Sequence, residues 1–174
     1  PYYPLHLAYW HMTLQQRRFR NWVLKQSKGS VLDYGGGIGD LSLRLWRRGH
    51  KVTYLEVGGS QNMRFARFLF SRDGAEIKVM SLEELSKLDI YDTIVCIDVI
   101  EHVPDPKETI RMFHEHLSHH GRLIATNIFY NQANQKVARK RIVAKGHSAT
   151  GLSRVFMREV GFRELNGFLW TKDS

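Results

Sequence analysis

The sequence predicts a doubly wound α/β fold: a mostly parallel sheet with helices on both faces and one or two final strands running antiparallel. Three observations carry this. Strand-like and helix-like segments alternate from residue 30 onward. The stretch Thr93 to Asp98 is almost wholly apolar, the pattern of a strand buried on both faces. Finally, a glycine-rich turn, Gly35 to Gly39, joins the first strand of the alternation to its first helix.

The elements follow in order. The first strand is Ser30 to Tyr34, and the helix after the glycine turn ends near Gly49. A second strand runs from Lys51 to Glu56. Ser60 then caps a helix that carries Met63, Ala66 and Phe70 on one face and stops at Gly74. The third strand is Glu76 to Met80, and the fourth Thr93 to Asp98. In Asp105-Pro106-Lys107-Glu108 the aspartate caps, the proline suits the first helical position, and the glutamate is spaced to reach back. Ile110, Phe113 and Leu117 recur at helical spacing, with Gly121 as the stop. A fifth strand is expected over Arg122 to Asn127. Leu152, Val155, Phe156 and Val160 mark one more helix, closed by Gly161, and Phe162 to Lys172 holds the final strands.

No proline- or glycine-rich linker and no internal repeat divides the chain, so residues 29–174 read as one compact unit behind an amino-terminal helical cap over 1–28. Tyr2, Tyr3, Tyr9, Trp10, Phe19 and Trp22 make that leading segment dense in aromatic rings. It suits either a cap over a pocket or a helix packed on the sheet edge. At 174 residues the chain buries a sizeable core, and its 43% hydrophobic content is that of an ordinary globular protein. No apolar run approaches the roughly 20 residues needed to span a bilayer. The opening Pro1-Tyr2-Tyr3-Pro4 is not a basic-then-apolar leader, and the absent initiator methionine suggests a trimmed chain or a fragment. The lone cysteine, Cys96, cannot form an internal disulfide; it lies in an apolar stretch as a packed thiol, which is consistent with a reducing cytoplasm. The net charge of +9 either attracts an anionic partner or keeps the surface solvated.

The glycine turn reads Asp33-Tyr34-Gly35-Gly36-Gly37-Ile38-Gly39-Asp40. Glycines let a backbone approach a ligand closely, and a ligand beyond the carboxyl end of a strand is the usual arrangement in open α/β sheets. Dinucleotide binders use such a turn too, and Asp33 discriminates between the two. A pyrophosphate brought to this turn would meet a carboxylate of its own sign. A ligand with a cationic amino group and a sulfonium would be welcomed. Three residues after Gly37 stands Asp40, where the dinucleotide fingerprint wants Gly or Ala; counting from Gly37 and Gly39 puts Ser42 third, an imperfect match. Glu56 ends the second strand 17 residues after Gly39, where an acid accepts hydrogen bonds from two ribose hydroxyls in nucleotide binders of either kind.

Together with Asp92-Thr93-Ile94-Val95-Cys96-Ile97-Asp98-Val99-Ile100-Glu101-His102-Val103-Pro104-Asp105-Pro106, these features resemble the class I S-adenosylmethionine-dependent methyltransferases of Rossmann-like fold. The fourth-strand signature is similar to the branch that holds the quinone-biosynthesis O-methyltransferases. The resemblance covers about residues 30–128 and specifies the cofactor more than the acceptor. It implies that Asp33, Gly35, Gly36, Gly37 and Gly39 surround the methionine and ribose portions of S-adenosylmethionine, whose product is S-adenosylhomocysteine. By the same resemblance Glu56 holds the ribose, and Val57 lies beside adenine. Met80, Ser81 and Leu82 flank that ring, although the family often has an acid there. Asp98 and Val99 sit near the sulfonium.

Methyl transfer is an in-line displacement, so the protein's main task is to align the reactants in a dry pocket. A base is needed when the acceptor is a poorly ionised hydroxyl, and His102 is the best-placed candidate for that role. Capping the tight Pro104–Pro106 turn is its competing role. Asp98-x-x-Glu101-His102 has the composition of a divalent-metal site and is similar to sequences of some metal-using relatives, including RNA enzymes for which His147 is the one available downstream histidine. Those relatives usually begin with Glu, and no metal ligand is assigned here. His114, His116, His119 and His120 read as a solvated helix end favoured by the helix dipole.

The expected partner is a small-molecule methyl acceptor. RNA is the alternative substrate, suggested by the overall charge and by Lys136, Arg139, Lys140, Arg141 and Lys145. That basic segment also admits peripheral contact with a membrane surface. A non-catalytic cofactor-binding partner protein and a dehydrogenase complete the field.

Overall fold

The computed structural model describes residues 14–126 and 152–173. The expected contributions of residues 1–13, of Asn127, of the basic segment and of His147 lie outside them. In chain order the elements are α1 (Leu14–Gln26), β1 (Ser30–Tyr34), α2 (Asp40–Trp46), β2 (Lys51–Glu56), α3 (Gln61–Arg72), β3 (Lys78–Ser81) and β4 (Tyr91–Cys96). They continue with α4 (Pro106–Glu115), β5 (Leu117–Ala125), α5 (Arg154–Val160), β6 (Phe162–Asn166) and β7 (Leu169–Lys172). Short 3-10 turns at Leu82–Lys87 and Ile100–His102 follow β3 and β4.

The strands form one sheet in the order β3-β2-β1-β4-β5-β7-β6. The first five are parallel, and β7 pairs antiparallel with both β5 and β6. This is the predicted doubly wound sheet. Its strand order reverses between β1 and β4, which opens a crevice at their carboxyl ends.

Alternating side chains fill the two layers. Leu32, Ile94 and Leu123 face Ile110 and Phe113 of α4 and Phe156 and Met157 of α5. Val31, Val95 and Ile124 face Val23 and Leu24 of α1 and Leu41 and Leu45 of α2. A third cluster seats α3 through Met63, Ala66 and Phe70 against Tyr54 and Leu43. Because every second residue of a strand points the same way, burial on both faces demands the unbroken apolar runs seen in the sequence.

Local chemistry sets several boundaries as expected. The Met63 amide donates to the Ser60 hydroxyl at 3.0 Å, and the Lys107 and Glu108 amides both donate to Asp105. Gly161 ends α5 in the left-handed conformation. Glu108, however, turns to Arg111 rather than back to the cap.

Other boundaries differ from those expected. β3 begins at Lys78, since the Ile77 amide still closes a turn onto Ala75. β4 runs from Tyr91 and stops at Cys96: parallel pairing sets Thr93 against Val31, and Asp98 then takes a positive φ of 54° that no strand continues. Gly121 does not end a helix. The His116 amide closes α4 onto Met112, Leu117 already belongs to β5, and Gly121 lies inside that strand beside an irregularity where His120 has φ 58°. In α5 the inward residues are Phe156 and Met157, while Val155 is exposed.

The histidine group is divided accordingly. His114 packs edge-on to Phe162 at 5.3 Å, with burial pushing its pKa below the ordinary value, and His116 Nδ1 lies 3.1 Å from the Asp89 carbonyl. His119 and His120 stand on β5, so the four do not make one solvated helix end. Cys96 is fully buried, as expected of a packed thiol. Among the described residues no helix is long and apolar enough to cross a membrane.

Candidate active site

The turn between β1 and α2 is built by three constraints on its backbone. Gly35 has φ 70°, and a Cβ there would come within 2.5 Å of Val99, so the β1 and β4 loops meet only because this residue has no side chain. The Tyr54 hydroxyl donates to the Gly37 carbonyl at 2.6 Å, and the Gly37 amide donates to Glu56 Oε2 at 2.9 Å. The end of β2 therefore holds the turn that follows β1.

Above this turn lies a cavity of about 420 Å³, well matched to a small molecule. Of the residues expected from sequence, Asp33, Gly35, Gly36, Gly37, Glu56, Val57, Leu82, Asp98, Val99 and His102 line it. Two do not. Gly39 stands at the N-cap of α2 in the left-handed conformation, and a Cβ there would strike Phe70 and Ala66, so this glycine serves helix packing. Ser81 faces its own 3-10 turn, its amide donating to Glu84. Met80 is buried in the core.

The cavity is acidic in a basic chain. Asp33 is buried and accepts from the Ser42 hydroxyl at 2.6 Å. Burial raises its carboxyl to a pKa of about 6, against the hydrogen bond from Ser42 and the pull of Arg20. Glu56 is also raised by burial, and its second oxygen accepts from the Val57 amide at 3.0 Å. Asp98 is exposed at the rim; its amide donates to Thr126 Oγ1, and that hydroxyl donates back to the aspartate. His102 stands beyond Asp98, its pKa lowered by burial and partly restored by that aspartate. The wall nearby is apolar: Ile97, Val99, Val103 and Pro104. Among the described residues no three His, Cys, Asp or Glu side chains converge as a metal-holding group.

Sequence reasoning missed Arg20 and Gln16, which reach the same cavity from α1. Arg20 is almost fully buried and bonds Asp40 at 3.2 Å; burial lowers its pKa, while Asp40 and Asp33 oppose that. A signal existed. Arg20 precedes Val23 and Leu24 by three and four positions, which puts a charge on the inward stripe of the helix. Asn62 and Tyr34 are further wall residues, and burial pushes the Tyr34 hydroxyl up to about 12. The aromatic rings of α1 are used elsewhere: Phe19 stacks on Trp22 and meets Phe168 of the β6–β7 turn.

Such a cavity is suited to a ligand with positive charge at the Asp33 end and hydroxyls at the Glu56 end. A pyrophosphate over Asp33 would bring like charges together in a poorly hydrated space.

A family described as a methyltransferase domain matches the chain over residues 9–162. The chain is 32% identical over 119 residues to a ubiquinone biosynthesis O-methyltransferase of Aeromonas salmonicida (strain A449), covering 64% of this chain and 50% of that protein. It is 31% identical over 121 residues to the protein of that name from Rickettsia akari (strain Hartford), covering 68% and 47%. The chain thus spans about half the length of the curated relatives it matches. Among solved structures it resembles PigF with SAH at TM-score 0.70 and 16% identity, covering 99% of this chain and 58% of the other. It also resembles a S-adenosylmethionine-dependent methyltransferase from Clostridium acetobutylicum ATCC 824 at TM-score 0.57 and 17% identity, covering 69% and 55%.

Proposed function

We infer, from a chain that belongs to the methyltransferase-domain family, that this protein uses S-adenosylmethionine to methylate a small-molecule acceptor. The observation that carries the reading is a cavity with a buried carboxylate at the glycine turn and a second carboxylate at the end of β2. The ligand's amino group and ribose diol are the two features those acids would hold. When bound, S-adenosylmethionine would supply an electrophilic methyl group open to in-line attack by the acceptor, with S-adenosylhomocysteine as the leaving group.

The chain's own residues divide the remaining work. Asp33 would bind the amino group, and Arg20, as the guanidinium in the wall, would bind the carboxylate beside it. Glu56 would accept from the ribose hydroxyls, and Val57 and Leu82 would sandwich the adenine. Gly35, Gly36 and Gly37 keep the turn thin enough for close approach. Gln16 and Arg20 support the reading of the amino-terminal segment as a cap over the site. Asp98 and Val99 would line the transfer site, with the apolar wall of Val103 and Pro104 keeping the acceptor dry. His102, held neutral by its lowered pKa, is in the form that accepts a proton from an acceptor hydroxyl. The names of the relatives support an O-methyl acceptor, and the single packed thiol supports a cytoplasmic setting.

Calorimetric titration with S-adenosylhomocysteine tests the cofactor. One saturable site is expected, and Glu56→Ala should weaken it by about 1–3 kcal/mol, roughly five- to a hundred-and-fiftyfold. Absence of heat, or an unchanged affinity in the variant, would overturn the assignment. The acceptor side is tested separately. With a hydroxyl acceptor, His102→Asn should lower kcat by roughly 10²–10⁴-fold and leave S-adenosylhomocysteine affinity intact; an unchanged pH–rate profile would remove His102 from the chemistry.

A further inference from the structure

Helices α2 and α3 lie side by side, joined through Leu43, Met63, Ala66 and Phe70. From Asp40 to Asp73 they and their ends carry six arginines, at 44, 47, 48, 64, 67 and 72, against the two aspartates that bound them. Both aspartates are engaged. Asp40 bonds the buried Arg20 and lies near Arg44, and Asp73 is shared by Arg47 and Arg72. Among the described residues no ion pair neutralises Arg48, Arg64 or Arg67.

α3 itself holds no acid. With Met63, Ala66 and Phe70 turned inward, helical geometry aligns Arg64, Phe68 and Arg72 along the outward face, four residues apart, with Phe65 beside them. Phe68 is 59% exposed, and its ring lies 6.3 Å from that of Phe65. Clustered like charges weaken a helix, and Glu or Gln at any of these exposed positions would relieve it. The face therefore accepts a local cost that the core does not require.

We propose that the outer face of α2 and α3 binds single-stranded nucleic acid, with the arginines on backbone phosphates and Phe68 under a base. Three features favour this occupant. The cations are arginines, whose planar fork matches phosphate oxygens in pairs. An exposed ring among them offers a stacking platform for any base. The apolar area is one phenyl ring and part of a second, too little to hold the protein in a bilayer. The face lies outside the cavity wall, so it docks a polymer without entering the methyl-transfer site.

The test is fluorescence anisotropy of a labelled 20-nucleotide oligouridylate, titrated with the full chain at several salt concentrations, alongside vesicles rich in phosphatidylserine. Binding that weakens steeply with salt is expected. Arg48→Ala/Arg64→Ala/Arg67→Ala should reduce the slope of log K against log salt by about 2, at roughly 0.7 per lost phosphate contact. Phe68→Ala should cost about tenfold in affinity. The triple lysine variant should retain the salt slope and lose affinity, since charge survives and the fork does not. All variants should melt with the wild type and bind S-adenosylhomocysteine equally. Wild-type and triple-alanine proteins that bind the oligonucleotide alike, no binding at low salt, or retention by vesicles alone would overturn the proposal.

Discussion

Asp33→Asn is expected to reduce S-adenosylhomocysteine affinity by roughly a hundredfold or more while leaving the ligand-free protein at least as stable as the wild type at pH 7. The loss follows from geometry. A cationic amino group drawn into the cavity over a neutral amide would lose its charged partner in a space that water does not rescreen, a cost of about 3 kcal/mol or more. The gain in stability follows from the same burial. Folding raises the Asp33 carboxyl from 3.8 to about 6. The native state therefore holds its proton more tightly than the unfolded chain, and between those values stability falls as pH rises. Above the higher value the full penalty, about 3 kcal/mol, is present. Asparagine removes it and can still accept from Ser42. Chemical denaturation at pH 4 and pH 7 checks the stability arm: the wild type should lose stability across the interval relative to the variant. Calorimetry checks the binding arm. In the wild type, cofactor affinity should also decline below about pH 6 as Asp33 takes up a proton. A variant that binds S-adenosylhomocysteine normally would remove the electrostatic basis of the proposed function.

Phe113→Ala should be the most damaging core truncation for its size, costing about 3–5 kcal/mol of unfolding free energy. Phe113 is fully buried between α4 and the sheet, and its ring meets Tyr34 edge-on at 5.0 Å. Tyr34 lines the cavity between Asp33 and Gly35, so the void left by the truncation sits directly behind the glycine turn. Cofactor affinity should fall with stability. Urea denaturation measures the first effect and calorimetry the second. Phe168→Ala, at a half-exposed ring on the β6–β7 turn, is the control and should shift stability far less. A loss of under 1 kcal/mol for Phe113→Ala would mean that the α4 layer does not support the site.

The amino-acid sequence alone determined the alternation of strands and helices, the caps at Ser60 and Asp105, the glycine stop at Gly161, and the set of acids and glycines at the carboxyl ends of β1, β2 and β4. These are local matters: hydrophobic period, cap chemistry and the freedom of glycine operate over a few residues, so neighbouring letters reveal them. Only the tertiary structure decided where β4 and β5 begin and end, because the register with β1 and the irregularity at His120 belong to pairs of strands. The same is true of Gly39 and Ser81, which turn away from the cavity to pack on α3 and to cap a turn, and of Arg20, which enters it from a helix 13 residues upstream of Asp33. A contact between distant segments depends on how whole layers stack, and no short window of sequence contains that information.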